Sequence, residues 1–293
     1  MTSLLQLDPD RFAAVLGRTS MAVTHRLVDH PLLERGALAD LADRLPAASV
    51  EHNLGSLPTV VPTGEVTRVD AAPGDVVRTI EENASWMVLK NVEADPAYAA
   101  LLDECLDEVQ TLLGDRDGGM RQREAFIFLS APNSVTPSHV DPEHNFLLQV
   151  RGTKQMHVGR FADPATEQRE LERIYFGGHR NIEQPPAEDE CYELAPGDGV
   201  YVRPDAPHYV VNGPGTSVSF SITWRTPQTR HAARVHRANG HLRRLRMKPQ
   251  APGADPRRDR AKAGFVVAAT AAARAGRLLR ERLAPVAARL RRG

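Results

Sequence analysis

Through the first ~115 residues the apolar positions mostly recur every three or four places, the spacing of one helix face. Asp8 to about Arg26, with its acidic start, and Leu32–Leu45 read as helices around a few extended segments. Trp86–Val92 has the composition of a strand. Asp95-Pro96 opens the clearest helix, with Tyr98, Leu101, Leu102, Cys105, Leu106, Val109, Leu112 and Leu113 along one side. That stripe is core packing and asks for no chemistry. Gly114–Arg123 is glycine-rich and charged, which sets a boundary there.

From Glu124 to Arg225 the rhythm changes to short runs bounded by Gly, Pro, Asn and Asp. Strands are expected at Ala125–Leu129, Phe146–Val150, Lys154–Val158, Cys191–Leu194, Gly199–Val202, Tyr209–Val211 and Val218–Trp224. Gly152-Thr153 and Gly213-Pro214-Gly215 are the natural hairpin corners, and the whole argues for a sandwich or barrel of jelly-roll type. In the last run Ser217, Ser219, Ser221 and Thr223 alternate with Val218, Phe220, Ile222 and Trp224. A small polar face of this kind suits a cavity wall or a solvent-facing strand equally. Beyond Arg225 the chain is Arg- and Ala-rich, breaks at Pro249–Pro256, and then reads as a long helix from Arg257 to about Leu283 that Pro285 should end or kink. The expected architecture is α+β: a mostly helical N-terminal region over 1–115, a sheet domain over 116–228 and a basic helical extension over 229–293.

Composition adds limits. The 293 residues are 41% hydrophobic and 25% charged, enough for a buried core in a folded protein. No apolar run approaches the roughly 20 residues of a membrane span, and the N-terminus lacks the basic start and apolar stretch of a signal peptide, so a reducing, cytoplasmic setting is expected. Cys105 and Cys191 are too few for a disulfide framework and are expected to be buried thiols. The formal net charge of zero conceals a division: 18 basic and 34 acidic residues in 1–224, against 19 and 3 in 225–293. A basic tail on an acidic body favours packing or homodimerisation through the C-terminal helices. Contact with nucleic acid or a ribosomal surface, or with anionic lipid, is the alternative, and any nucleic-acid contact would be electrostatic because the tail has no interleaved aromatics.

The stretch that carries chemistry is Ser134 to Lys154, which contains His139-Val140-Asp141. With 11 histidines and 37 acids, about one His-x-acid is expected by chance, so context decides. In an extended segment residues i and i+2 point the same way, so His139 and Asp141 can share one metal ion. The best third ligand is His208, 67 residues beyond Asp141, delivered into a strand by the proline-rich turn that follows Pro196-Gly197-Asp198. Two imidazoles and one carboxylate with adjacent positions open is the set used for non-haem iron(II), whereas a structural zinc site would fill all four positions, often with cysteine.

Around these residues the chain from Ala125 to Trp224 resembles the double-stranded β-helix of JmjC-type, cupin-like iron(II) and 2-oxoglutarate-dependent oxygenases. It is most similar to the protein hydroxylase subgroup that includes the asparaginyl hydroxylase of the hypoxia-inducible transcription factor. The likeness rests on Thr136 three before the first histidine, Asn145 six after it, Gln149, and Lys154 fifteen after it. The resemblance implies that Lys154 pairs with the far carboxylate of 2-oxoglutarate, that Thr136 hydrogen-bonds the same group, and that Asn145 orients co-substrate or oxygen beside the metal. Phe128 stands where that family lines the co-substrate pocket with an aliphatic residue. His144 and His157 fit a surface or core-edge place at least as well as a functional one, His179 is expected in a solvated Gly-Gly-His loop, and Trp224 in the core.

The implied activity is a dioxygenase that uses Fe(II), O2 and 2-oxoglutarate, yields succinate, and hydroxylates a substrate, with N-demethylation as the outcome for an N-methyl carbon. Peptide or protein side chains are the substrate class that the resemblance favours. A small metabolite is the alternative within the enzyme class, and a non-catalytic metal-binding cupin serving as an interaction module is the alternative outside it.

Overall fold

The computed structural model describes residues 3–54, 71–82, 85–114 and 116–290. In the N-terminal region these form β1 (Leu5–Gln6), α1 (Pro9–Val15), β2 (Met21–His25), α2 (Arg35–Arg44), β3 (Val50–Leu54), α3 (Pro73–Arg78), β4 (Ser85–Lys90) and α4 (Pro96–Leu113). There follow β5 (Arg121–Ser130), β6 (Val135–Val140), β7 (His144–Arg151), β8 (Lys154–Arg160), α5 (Pro164–Tyr175), β9 (Ala187–Leu194), β10 (Asp198–Val202), β11 (Pro207–Asn212) and β12 (Ser217–Arg225). The chain ends with α6 (Pro227–Arg244) and α7 (Pro256–Leu290).

Among the described residues two antiparallel sheets are present. The larger runs β1-β2-β10-β7-β12-β5-β4-β3 and the smaller β6-β11-β8-β9. Leu147, Val200 and Val202 of the large sheet share one buried cluster with Met156, Val158, Tyr192, Leu194 and Val210 of the small one, so the two sheets enclose a common interior. The other side of the large sheet, with Phe146, Leu148, Phe220, Ile222 and Trp224, joins Leu101, Cys105 and Val109 of α4 in the main core. Thus β7 and β12 are buried on both faces.

Several expectations change on folding. The helix expected from Asp8 to Arg26 stops at Val15; Asp8 caps it by accepting from the Arg11 N–H, and Gly17 turns away with φ +67°. Met21–His25 then alternates buried and exposed and pairs with β10, so sheet pairing overrides the helical reading. Gly152-Thr153 and Gly213-Pro214-Gly215 are not hairpin corners, because each carries the chain from one sheet to the other. The corners also press together: a Cβ on Gly152 would lie 2.3 Å from the Thr216 carbonyl oxygen, and one on Gly213 would lie 2.2 Å from Thr153 Oγ1. The last helix continues through Pro285 to Leu290 rather than ending there. Cys105 is buried as expected, but Cys191 is exposed on β9.

The chain divides into two compact units, one of Met1–Pro164 with His179–Thr229 and one of Ala165–Gly178 with Arg230–Gly293. Within the second, α5 packs on α6 through Tyr175 stacked on His236 at 5.3 Å, an ion pair of Arg243 with the buried Glu172, and Arg244 over the Phe176 ring at 4.1 Å. No helix among the described residues is long and apolar enough to cross a membrane.

Candidate metal centre

Strand β6 carries His139, and Asp141 follows one residue beyond its end. His139 stands opposite His208 in the β6–β11 register, with the rings 4.1 Å apart. The proline-rich turn before β11 holds the Asp141 segment directly, since the Asp205 N–H donates to the Asp141 carbonyl at 2.8 Å. Ligand atoms of His139, Asp141 and His208 all lie within 4.8 Å of one another. Asp141 Oδ2 is 3.7 Å from the Nε2 of each histidine.

The histidines are pre-set. His139 Nδ1 lies 2.8 Å from the Pro137 carbonyl and His208 Nδ1 lies 2.9 Å from the Ala206 carbonyl. A carbonyl only accepts, so each Nδ1 carries the proton and each Nε2 keeps a lone pair toward the shared point. Burial, reinforced by neighbouring His139, pushes the His208 pKa down to about 4, which leaves it neutral near pH 7 as a metal ligand requires. Burial opposes ionisation of Asp141, but His139, His208 and Arg180 outweigh it and bring the carboxyl to about 2. Two imidazoles and one anionic oxygen, with no thiol in the set, suit a divalent cation that prefers N and O donors.

The remaining sequence-selected residues lie along the same interior. On β11, Val210 is opposite Thr136 of β6 and Met156 of β8, and Asn212 is opposite Lys154. Alternate residues share a face, so Lys154 is on the face of His208, four positions along, with Thr136 at the level between. Lys154 is 4% exposed, and burial pulls its pKa down to about 7. Among the described residues no carboxylate lies within ion-pair reach of it.

Across the interior, the polar face of β12 meets β7. Ser221 Oγ donates to Asn145 Oδ1 at 2.8 Å, and Ser219 Oγ donates to Gln149 Oε1 at 2.7 Å. Gln149 Nε2 in turn donates to Ser217 Oγ and to the carbonyls of Arg151 and Gly152, so it braces the corner that leads to Lys154. These serines are buried, which resolves the two readings of their strand in favour of an interior wall. Phe128 packs against the apolar part of that interior.

Other histidines stand apart from the centre. His144 is buried, with Nδ1 2.7 Å from the Tyr201 hydroxyl, and stacks on the fully buried Trp224 at 5.0 Å. His157 pairs with Asp189 at 2.6 Å and stacks on Tyr209, and His179 accepts from the Asn181 N–H at 3.1 Å. The sequence reading missed Arg180, Glu143 and Arg225. Arg180 Nη1 donates to Asp141 Oδ1 at 2.7 Å, and the buried Glu143 is paired with both arginines. The one available signal was that Arg180 follows His179 and Glu143 lies two beyond Asp141.

The JmjC domain family matches residues 118–232. No curated protein gives a match to the sequence. Among solved structures, an X-ray structure of Escherichia coli ycfD aligns over 92% of this chain and 69% of its own, at 18% identity and a TM-score of 0.54. The structure of YcfD described as a ribosomal oxygenase from Escherichia coli in complex with cobalt and 2-oxoglutarate aligns over 92% and 68%, at 16% identity and a TM-score of 0.51. At these identities the likeness establishes the fold. The family match spans β5 to β12, the strands that form the two facing sheets, and so agrees with that fold.

Proposed function

We propose that this protein is an iron(II)- and 2-oxoglutarate-dependent dioxygenase that hydroxylates a peptide or protein side chain. One observation carries the reading: two Nε2 lone pairs and one carboxylate oxygen converge at one end of an interior face that holds a buried, unpaired lysine farther along. His139, Asp141 and His208 would hold the metal. Lys154 and Thr136 would take the far carboxylate of 2-oxoglutarate, because a dianion inside a barrel needs a cation and a hydroxyl donor. Asn145, fixed by Ser221, leaves its Nδ2 unused by the protein and would orient what binds between. Bound iron(II) supplies oxygen activation coupled to co-substrate decarboxylation, while the barrel positions the reactants and excludes water.

The test is spectroscopic. Anaerobic addition of iron(II) and 2-oxoglutarate should produce a weak visible charge-transfer band that is absent in His139→Ala and Asp141→Ala. A non-catalytic cupin would give no band in the parent protein, and that result would end this reading.

A protein substrate is supported by the JmjC domain and by the fold shared with an enzyme described as a ribosomal oxygenase, which makes ribosomal components the first substrates to assay. The same reading makes the chain a cytoplasmic homodimer through α6 and α7. Exposed Phe265 and Val267 on α7 support the dimer, and a single-chain mass in solution would remove it.

A further inference from the structure

Asp141 is gripped by one oxygen and offered by the other. Oδ1 accepts from Arg180 Nη1 at 2.7 Å, while Oδ2 faces the two imidazoles at 3.7 Å. Arg180 is itself doubly fixed. Its Nη2 lies 3.4 Å from Glu143 Oε1, and the same oxygen takes Arg225 Nη2 from the end of β12. Its backbone runs beside the ligand strand: the Val140 N–H donates to the Arg180 carbonyl at 3.2 Å, Asn181 bridges His139, and the Ile182 N–H donates to the Ser138 carbonyl at 3.0 Å.

A carboxylate can give a divalent cation one oxygen or two. With two imidazoles already bound, a second carboxylate oxygen would occupy a position that a chelating co-substrate and oxygen need. We infer that Arg180 is a positioning residue that keeps Asp141 a one-oxygen ligand, with Glu143 and Arg225 as its backstop. The inference rests on the metal-centre reading above. It makes an unusual demand, because the guanidinium charge opposes a nearby cation while its geometry preserves the open position. Removing Arg180 should therefore leave metal binding intact or tighter and weaken the co-substrate. An ion pair that only stabilised the fold would lower both affinities together or neither.

Cobalt(II) serves as the probe, titrated into the full chain by calorimetry and visible absorption, followed by 2-oxoglutarate into the cobalt-loaded protein. In Arg180→Gln we expect cobalt affinity equal to or above the parent, co-substrate affinity lower by about tenfold, and a changed cobalt spectrum. Arg180→Lys keeps a cation and a donor and should recover most of the loss, and Glu143→Gln should fall between. The inference fails if Arg180→Gln binds 2-oxoglutarate within about twofold of the parent, or if both affinities drop together and Arg180→Lys does not rescue them. If the parent itself takes up no cobalt, or His139→Ala takes up as much, the metal-centre reading is what fails.

Discussion

The interior face of the small sheet ends in two polar sites of opposite donor character. At the His139, Asp141 and His208 end, two imidazoles and a carboxylate pinned by Arg180 direct lone pairs to one shared point. At the Lys154 end a buried lysine stands opposite Asn212, with no carboxylate within ion-pair reach among the described residues. The first end suits a cation and the second an anion. A buried charge without a partner is costly, so such a lysine belongs to a site whose ligand completes it. The separation of the two, four residues along a strand or roughly 13 Å of backbone, leaves room for both side chains and a short dicarboxylate between them.

The largest way to break this comparison is to remove a donor at the first end. Asp141→Ala should weaken cobalt(II) binding by on the order of 100-fold or more, read by calorimetry, and retained affinity would mean that the point is not a metal centre.

Lys154→Ala acts on the other end alone. It should lower 2-oxoglutarate affinity by roughly 10- to 100-fold, the value of about 1.5–3 kcal/mol for a charged hydrogen bond, with cobalt affinity unchanged. The pH dependence gives a second measure of the same lysine. Burial brings its pKa from 10.5 to about 7, so at pH 8 it is mostly neutral when folded and charged when unfolded. The unfolded chain then binds more protons, and the ligand-free protein should gain stability as pH rises from about 7 towards 10.5. Binding a dianion should restore the charge, with uptake of about one proton at pH 8, measurable by calorimetry in buffers of different ionisation enthalpy. Absence of uptake would separate Lys154 from the co-substrate.

Gly152→Ala sharpens the link between the corner and Lys154. With φ +69° and the Thr216 carbonyl oxygen 2.3 Å from the new Cβ, it should cost about 3 kcal/mol in urea unfolding. Ser221→Ala is the smallest change. Losing the 2.8 Å bond to Asn145 should cost about 1 kcal/mol in the same measurement, with the metal end untouched.

How much was readable in advance follows the range of each interaction. His139 and Asp141 were legible because alternation along one strand is local. Lys154 and Asn145 were legible through their spacing from His139 in a chain that resembles JmjC-type oxygenases. The polar face of β12 was visible as a pattern, but whether it met water or an interior depended on β7, which supplies Gln149 and Asn145. Met21–His25 was read as helix because its strand character arises from pairing with β10, more than 170 residues away in the chain. Arg180 carried only the weak signal of following His179. Its partners are Asp141 and Glu143, and it meets them only because residues 180–182 lie along β6.

The sequence by itself determined the donor types, their order along the chain and the alternation that sends them inward, since each follows from side-chain chemistry and strand geometry over a few residues. Only the tertiary structure decided which sheet each strand joins, that His208 lies opposite His139, that Lys154 is buried alone, and that Arg180 leaves Asp141 one free oxygen. Those outcomes depend on backbone pairing between distant segments and on the exclusion of water by the assembled barrel, and neither is encoded in any local stretch.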